Sequence, residues 1–287
     1  MNQSKSTTFH VWLVSEEEFA ILQAERYEKI TQYVNQKGFA SIAELTELLE
    51  VSKPTVLRDL LKLEEQHLII RTYGGAASLH KGTNFEPRHS EKERQAAQNK
   101  EIIAQLALTF IHPGETILLD SGSTALMLAK QLVKAKNITV ITNDIKSAMC
   151  LCENEAIDLV VLGGQRRKGV YSLVGPFTEM LLQNLNVDKV FLGADAVDIH
   201  KGITNSNIDE LNIKKGMIAI AKEVILLADS SKFEQVAFSH IADLDVLDAI
   251  ITDRHIEQKG ALKALLEKGI QVHIAGKAQK GGNGQVK

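Results

Sequence analysis

Cysteine is scarce: the 287 residues hold two, Cys150 and Cys152. They stand in an apolar, helix-like run that turns them to different faces, and no cluster of further Cys or His accompanies them. Two buried free thiols are expected there, not a metal site or a redox pair. Long apolar runs are absent as well. No stretch is long enough to span a bilayer, and no cleavable signal stands out, so a cytoplasmic protein with no membrane partner is expected. An excess of positive charge is also lacking: 33 Lys and Arg face 36 Asp and Glu, for a net charge of −3. Residues 25–80 taken alone are nearly balanced too. Bulk charge therefore does not mark a nucleic-acid binder, and any such binding has to rest on a local cationic face. No distinct nucleophile or metal constellation is visible, so no catalytic residue, metal or cofactor is expected. What remains is a chain 44% hydrophobic, long enough for two modest domains with real cores.

The most informative stretch is 51–64, VSKPTVLRDLLKLE. Ser52 is placed to cap a helix, and Pro54 falls in its first turn, where a missing N–H is harmless. Val56, Leu60 and Leu63 recur at i, i+4 and i+7 and make one buried stripe. Lys53, Thr55, Arg58 and Lys62 lie mostly off that stripe, giving a polar, cationic face of the kind a DNA major groove admits. An ordinary solvated amphipathic helix has the same pattern, so the neighbours have to decide. Upstream, residues 26–37 carry Tyr27, Ile30, Thr31 and Val34 at helical spacing, and Gly38 ends that run. Ser41 and Glu44 make a capping box for a second helix whose inner face is Ile42, Leu45, Leu48 and Leu49. Two short helices, a tight turn at Glu50-Val51 and a polar-faced third helix form a helix-turn-helix pattern. Downstream, residues 68–76 read as a strand, a glycine turn and a return, the pattern of a β-wing.

With these motifs the chain resembles the DeoR family of bacterial sugar-metabolism regulators. The carriers are Val51-Ser52, Thr55-Val56, Arg58-Asp59-Leu60 and Leu63-Glu64, followed by Arg71 and Gly74-Gly75-Ala76. The resemblance implies a winged helix-turn-helix that contacts operator DNA through Ser52, Lys53, Thr55, Val56, Leu57, Arg58 and Lys62, with Arg71, Tyr73 and Gly74 on the wing. The chain departs from the family pattern at Leu57, where a second arginine is usual, and at His67, where a glycine is usual.

Beyond residue 100 the chain alternates. Strand-like runs fall at 116–119, 138–141, 159–162, 190–193, 224–228, 249–252 and 271–274. Helical patterns fall between many of them, at 124–132, 144–152, 177–185, 210–221 and 259–267. This predicts an α/β domain with a largely parallel sheet covered on both faces. Ligands in such sheets gather at the carboxyl ends of the strands, and five loops there carry chemistry. Asp120-Ser121-Gly122-Ser123-Thr124 joins a strand to a helix start, offering hydroxyls, free N–H groups and a favourable dipole to a phosphate. Asn143 can bond a ligand hydroxyl, although Asp144 beside it has the simpler reading of a helix cap. Gly164 and Arg167 lie in a glycine-rich basic loop suited to an anion, where some of its three cations are expected to be plain surface charge. Asp195 and Lys232 end two further strands, and each has a plain reading as a turn carboxylate or a surface lysine.

Together these loops resemble the effector domain that follows the helix-turn-helix in DeoR-family proteins, a fold similar to ribose-5-phosphate isomerase. The resemblance implies that Ser121, Gly122, Ser123 and Thr124, with Asp120, hold the phosphate of a phosphorylated sugar. Asn143, Gly164, Arg167, Asp195 and Lys232 would line the rest of the pocket. Residues 195–198 and 229–233 look most like the branch handling amino sugars or hexitols. The expected organisation is an extension over 1–24, a DNA-binding domain over 25–80, a linker over 81–99, an effector domain over 100–275 and a disordered tail over 276–287. The function this implies is a transcriptional repressor of a carbohydrate uptake or catabolism operon, acting as a homodimer or higher homo-oligomer and released by its effector. The alternative is a sugar-phosphate isomerase or deaminase fused to a DNA-binding domain, with Asp195 and Lys232 as its acid/base pair.

Overall fold

The computed structural model describes residues 16–66, 68–72, 74–78, 83, 86 and 89–276, with side chains from residue 23 onward apart from 36 and 91. The chain divides into two units, Met1–Lys81 and Gly82–Lys287. In the first, α1 (Glu16–Lys37) begins well upstream of the expected start at Arg26 and ends at Gly38, whose φ of 76° stops the helix. Then come β1 (Phe39–Ser41), α2 (Ile42–Leu49), α3 (Lys53–Glu65), β2 (Ile69–Thr72) and β3 (Gly75–Ser78). The three strands form an antiparallel sheet in the order β1-β3-β2. The capping box at α2 is present: Ser41 Oγ accepts the Glu44 N–H at 3.1 Å, and the Glu44 carboxylate accepts the Ser41 N–H at 2.8 Å. Glu50, at φ 53°, makes the tight turn into α3. Val56, Leu60 and Leu63 are fully buried against Ile30, Val34, Leu45 and Ile69. Each such side chain contributes about 1.5–3 kcal/mol. Gly75 is required where β3 crosses β1, because a Cβ there would meet the Ala40 carbonyl oxygen at 1.9 Å.

The second unit opens with α4 (His89–Arg94) and α5 (Ala97–Leu108). There follow β4 (Thr116–Leu119), α6 (Ser123–Leu132), β5 (Thr139–Thr142), α7 (Ile145–Leu151) and β6 (Asp158–Val161). A small hairpin pair, β7 (Gln165–Arg166) and β8 (Leu173–Val174), leads to α8 (Pro176–Leu182) and β9 (Val187–Gly193). Next are β10 (Ala196–Asp198), β11 (Gly202–Asn205), α9 (Leu211–Ala219), β12 (Ala221–Leu227), β13 (Ser239–Ala242), β14 (Ala249–Asp253), α10 (Gly260–Glu267) and β15 (Gln271–Ala275).

Seven strands form one parallel sheet in the order β15-β14-β12-β9-β4-β5-β6. Alternate residues feed two cores. Leu118, Val190, Leu226 and Ile250 face one, with Leu182, Met217 and Leu265 from α8, α9 and α10. Ile117, Phe191, Ile225 and Ile251 face the other, with Ile103, Leu128 and Leu151 from α5, α6 and α7. A strand buried on both sides has to read as an apolar run, which is how the central strands were legible, whereas the edge strand β6 is largely exposed. The antiparallel sheet β10-β11-β13 was not expected. The strand order reverses between β4 and β9: the chain runs outward through β5 and β6, then returns to pair β9 with the other edge of β4. That switch point opens a crevice at the carboxyl ends of both strands.

The expectation of two buried thiols is corrected. Cys150 is half-buried and Cys152 exposed, because α7 ends at Leu151 and Cys152 lies past its packed face. Among the described residues no helix is long and apolar enough to cross a membrane. The expected extension over 1–24 and tail over 276–287 lie mostly outside the described residues.

Candidate functional site

In α3 the polar face is exposed where it was expected. Lys53 and Arg58 are exposed, Thr55 and Leu57 half-buried. Neither Lys53 nor Arg58 makes an ion pair among the described residues. The positive charge of the other two cations is partly spent: Lys62 lies 2.9 Å from Glu65, and Arg71 Nε lies 3.2 Å from Glu64. Val56 is withdrawn from the operator-facing set, since at 0% exposure it belongs to the core. Ser52 precedes α3, but its side chain makes no capping bond; its hydroxyl lies 2.9 Å from that of Thr55. Gly74 is half-buried in the β2–β3 turn, with its carbonyl accepting from Ile42 N at 2.8 Å. Tyr73 lies outside the described residues. Asp59 performs a role that the motif did not reveal. It is 2% exposed and takes Arg26 of α1 in two hydrogen bonds of 2.8 and 3.1 Å, which sets the angle at which α3 presents its outer face.

In the second unit the crevice between β4 and β9 contains a cavity with about 640 Å³ of empty space, part of it open to solvent. Its floor is the Ser121–Thr124 turn. Gly122 precedes α6 at φ 124°, a conformation that favours glycine, and no side chain caps the helix. The first N–H groups of α6 and the hydroxyls of Ser121, Ser123 and Thr124 therefore meet no partner among the described residues. Asp120 is not in the lining but secures the turn from beneath. Its carboxylate accepts Ser121 N at 2.7 Å and Gly193 N at 2.8 Å, and pairs with the buried Lys214 amine. The two strands at the switch point are thus tied together directly under the turn.

Most charges of the cavity are already matched. Arg167 is held by both oxygens of Glu86 at 2.7 and 2.9 Å and by Glu210 at 2.9 Å. Lys92 lies 2.9 Å from Glu86 and 2.7 Å from Asp195. Burial opposes ionisation of Asp195, yet Lys92 and Lys232 hold its carboxyl well below the usual carboxylate range. Two cations stand outside these pairs, although Lys232 acts on the Asp195 carboxylate at longer range. Lys232, in the short turn after β12, makes no ion pair among the described residues. Lys100 donates only to the carbonyls of Lys92 and Gln95. Burial pushes its amine down to about 8, with Lys232 adding to the effect and Asp229 opposing it. An uncapped helix start, three hydroxyls and two cations outside any ion pair, lining one space, suit a compact anion.

The structure brings Ser121, Gly122, Ser123, Thr124, Arg167, Asp195 and Lys232 to this one cavity. Besides Asp120 beneath the turn, two expected members stand apart from it. Asn143 is 1% exposed and turns its amide to the Leu173 carbonyl at 3.1 Å, so the hairpin claims it. Gly164, although exposed, lies close against β8 and α8, where a Cβ would meet Thr178 Oγ1 at 2.2 Å and the Val174 carbonyl oxygen at 2.7 Å. Of the three cations in that loop, Arg166 and Lys168 are exposed and Arg167 alone turns inward. The lining also includes Lys100, which opens the expected effector domain, and Glu86, His89 and Lys92, from a stretch that reads as linker until its charges are seen to be paired. Its scarcity of apolar residues hid it, because it packs through ion pairs. Among the described residues no group of three or more His, Cys, Asp or Glu is placed to hold a metal ion.

Comparison with known proteins now has a geometry to meet. Residues 26–82 match the DeoR-like helix-turn-helix domain, and residues 95–254 match the DeoR C-terminal sensor domain. The HTH-type transcriptional regulator YulB of Bacillus subtilis (strain 168) is 36% identical over 91% of this chain and 100% of its own length. A putative aga operon transcriptional repressor of Escherichia coli O157:H7 is 34% identical over 88% of this chain and 94% of its own. Among solved structures, a D-ribose-5-phosphate isomerase in complex with phospho-erythronic acid overlaps 48% of this chain and 54% of its own, at 22% identity and a TM-score of 0.36. That overlap is too slight to bear on function. The family models and the full-length relatives are all regulators, which sets aside the alternative of a fused isomerase or deaminase: this chain belongs to the DeoR family of DNA-binding transcriptional regulators.

Proposed function

We propose that the protein represses an operon for uptake or catabolism of a carbohydrate, and that a phosphorylated sugar releases it from its operator. The observation that carries this reading is the cavity at the β4–β9 switch point, lined by an uncapped helix start and by Lys100 and Lys232, neither of which makes an ion pair among the described residues. The phosphate sits on the Ser121–Thr124 turn, and the sugar extends towards Arg167 and Asp195. The exposed face of α3, with Lys53, Thr55, Leu57 and Arg58, reads the operator, and Arg71 flanks it from the wing. The Escherichia coli relative, named as a putative operon repressor, supports repression as the sign of control. Phe177, Met180 and Leu181 recur at i, i+3 and i+4 on α8 and are 71%, 54% and 40% exposed. Such an apolar face supports a homodimer or higher oligomer, in which two α3 helices meet two operator half-sites. On this reading the DNA-binding domain ends near residue 80, and the protein acts in the cytoplasm.

The test has two arms. Genomic DNA retained by the purified protein is sequenced, and sites beside carbohydrate genes are expected. Arg58→Ala then weakens binding to such a site by about 1–3 kcal/mol and leaves sugar-phosphate binding intact. Unchanged operator affinity removes α3 as the reading helix. Failure of every sugar phosphate in a broad panel to release the DNA removes the effector.

A further inference from the structure

The cavity has a second polar wall that phosphate binding leaves unused. His89, the first residue of α4, is 2% exposed, and neither ring nitrogen finds a hydrogen-bond partner among the described residues. Glu93 Oε2 lies 3.5 Å from Nδ1 without making that bond. The imidazole stands edge-on to Tyr171, with ring centroids 5.1 Å apart and planes at 84°. Asp144, just past the carboxyl end of β5, is fully buried. Its Oδ1 caps α7 by accepting Ser147 N at 2.7 Å, while Oδ2 has no partner among the described residues. Both side chains line the cavity, as do Tyr171 and Ser123.

Buried polar groups in folded proteins are almost always hydrogen-bonded. Three open polar atoms on two residues that line one cavity therefore mark the place of a polar molecule. The donor and acceptor inventory narrows its chemistry. An ionised carboxylate only accepts, so a second anion is disfavoured on that wall. A neutral imidazole donates through one nitrogen and accepts through the other. Burial holds His89 below its ordinary value, with Glu93 opposing, so the neutral ring is the form present near pH 7. A hydroxyl is the group that satisfies both residues, donating to Asp144 Oδ2 and accepting from the imidazole N–H.

We infer that His89 and Asp144 form a hydroxyl-recognition subsite, which fixes the polyhydroxy end of a ligand whose anionic end rests on the Ser121–Thr124 turn. The second half of this statement rests on the phosphate reading above; the first does not. The subsite selects among ligands that share a phosphate and differ in the position of their hydroxyls.

The experiment is isothermal titration calorimetry on the full chain and on two variants. His89→Phe keeps the ring and its contact with Tyr171 but removes both nitrogens. Asp144→Asn keeps the oxygen that caps α7. The probes are inorganic phosphate, a set of unphosphorylated hexoses and hexitols, and their 6-phosphates. Each variant is expected to lose roughly 10- to 100-fold in affinity for the tightest 6-phosphate while binding inorganic phosphate as the unmodified protein does. Retained phosphate binding shows that the cavity is still folded. Unchanged affinity for the 6-phosphate in both variants overturns the subsite, and so does an equal loss for inorganic phosphate. If the unmodified protein ignores phosphate but binds an unphosphorylated sugar, and the variants lose it, the subsite stands and the phosphate reading falls. If no polyhydroxy compound binds the unmodified protein, the subsite is overturned.

Discussion

Lys100 shows how a single residue sets the working range of the cavity. Its amine is buried and bonded only to carbonyl oxygens, and burial lowers it to about 8. It is therefore charged at pH 7 and mostly neutral by pH 9. A phosphate ester is a dianion throughout that window, since its second proton leaves near pH 6, so the ligand adds no titration of its own. A dianion beside the amine favours its charged form by about tenfold or more. Affinity for a sugar phosphate should then fall by about that factor as pH rises from 7 to 10, and Lys100→Met should remove the step. The ligand-free fold moves the other way. Folding lowers this group, so between about pH 8 and pH 10 the unfolded chain holds a proton that the folded chain has lost. Stability therefore rises with pH across the window. Titration calorimetry and thermal melting on the same samples read these opposite slopes. Parallel slopes, or none, would mean that Lys100 does not titrate there.

At the scale of the element, Asp59 decides how α3 stands. Arg58 and Asp59 are consecutive, so one points outward to solvent and the other inward to Arg26 of α1, whose side chain is 17% exposed. Burial opposes the effect, but the Asp59 bond dominates and holds the Arg26 guanidinium above its usual range. Asp59→Ala leaves that guanidinium without a counter-charge, and the expected loss is about 3 kcal/mol, read as a lower melting temperature. Operator binding should weaken as well, because α3 loses its tie to α1; a variant as stable as the unmodified chain would show the pair to be incidental. This pair also marks the limit of what could be read from the chain. The stripe Val56, Leu60 and Leu63 was legible because helical periodicity exposes it, and the sheet strands because most of them hold a short apolar run. The capping box needed only Ser41 and Glu44 three residues apart. Arg26 and Asp59 are 33 residues apart, and no local rule joins them. The same holds for Glu86 and for Lys92 of α4, whose partners Arg167 and Asp195 are more than 70 residues distant. In the cavity, the part built on a strand-to-helix turn was visible in advance, as at Ser121–Thr124. The part built on long-range charge pairing was not, as at Glu86, Lys92 and Glu210. Asn143 and Gly164 were placed by the same rule but stand apart from the cavity: the β7–β8 hairpin folds over the end of β5 and takes the Asn143 amide, and Gly164 lies against β8 and α8.

For the molecule as a whole, regulation requires that ligand in the second unit and DNA on the first disfavour one another. That coupling is a free energy, and it is reciprocal: if ligand lowers operator affinity by some factor, operator lowers ligand affinity by the same factor. Couplings of about 1–3 kcal/mol are ordinary and correspond to roughly 5- to 150-fold. Ser123 offers a clean way to break it. The residue is 7% exposed, opens α6, and presents its hydroxyl to the cavity. Ser123→Glu sets a carboxylate at the helix start, where the macrodipole welcomes it and a phosphate can no longer enter. The variant should bind operator as the unmodified protein does, because nothing in the first unit has changed. It should fail to release operator when a sugar phosphate is added, at concentrations that release the unmodified protein fully. Calorimetric titration of the ligand with and without saturating operator completes the test. In the unmodified protein the two affinities should differ by the same factor that ligand imposes on operator binding. In the variant both differences should vanish together. A Ser123→Glu protein that still responds to the ligand would place the anion site away from the Ser121–Thr124 turn. Unequal factors in the unmodified protein would mean that ligand and DNA are linked through something further, such as a change in the number of chains bound together.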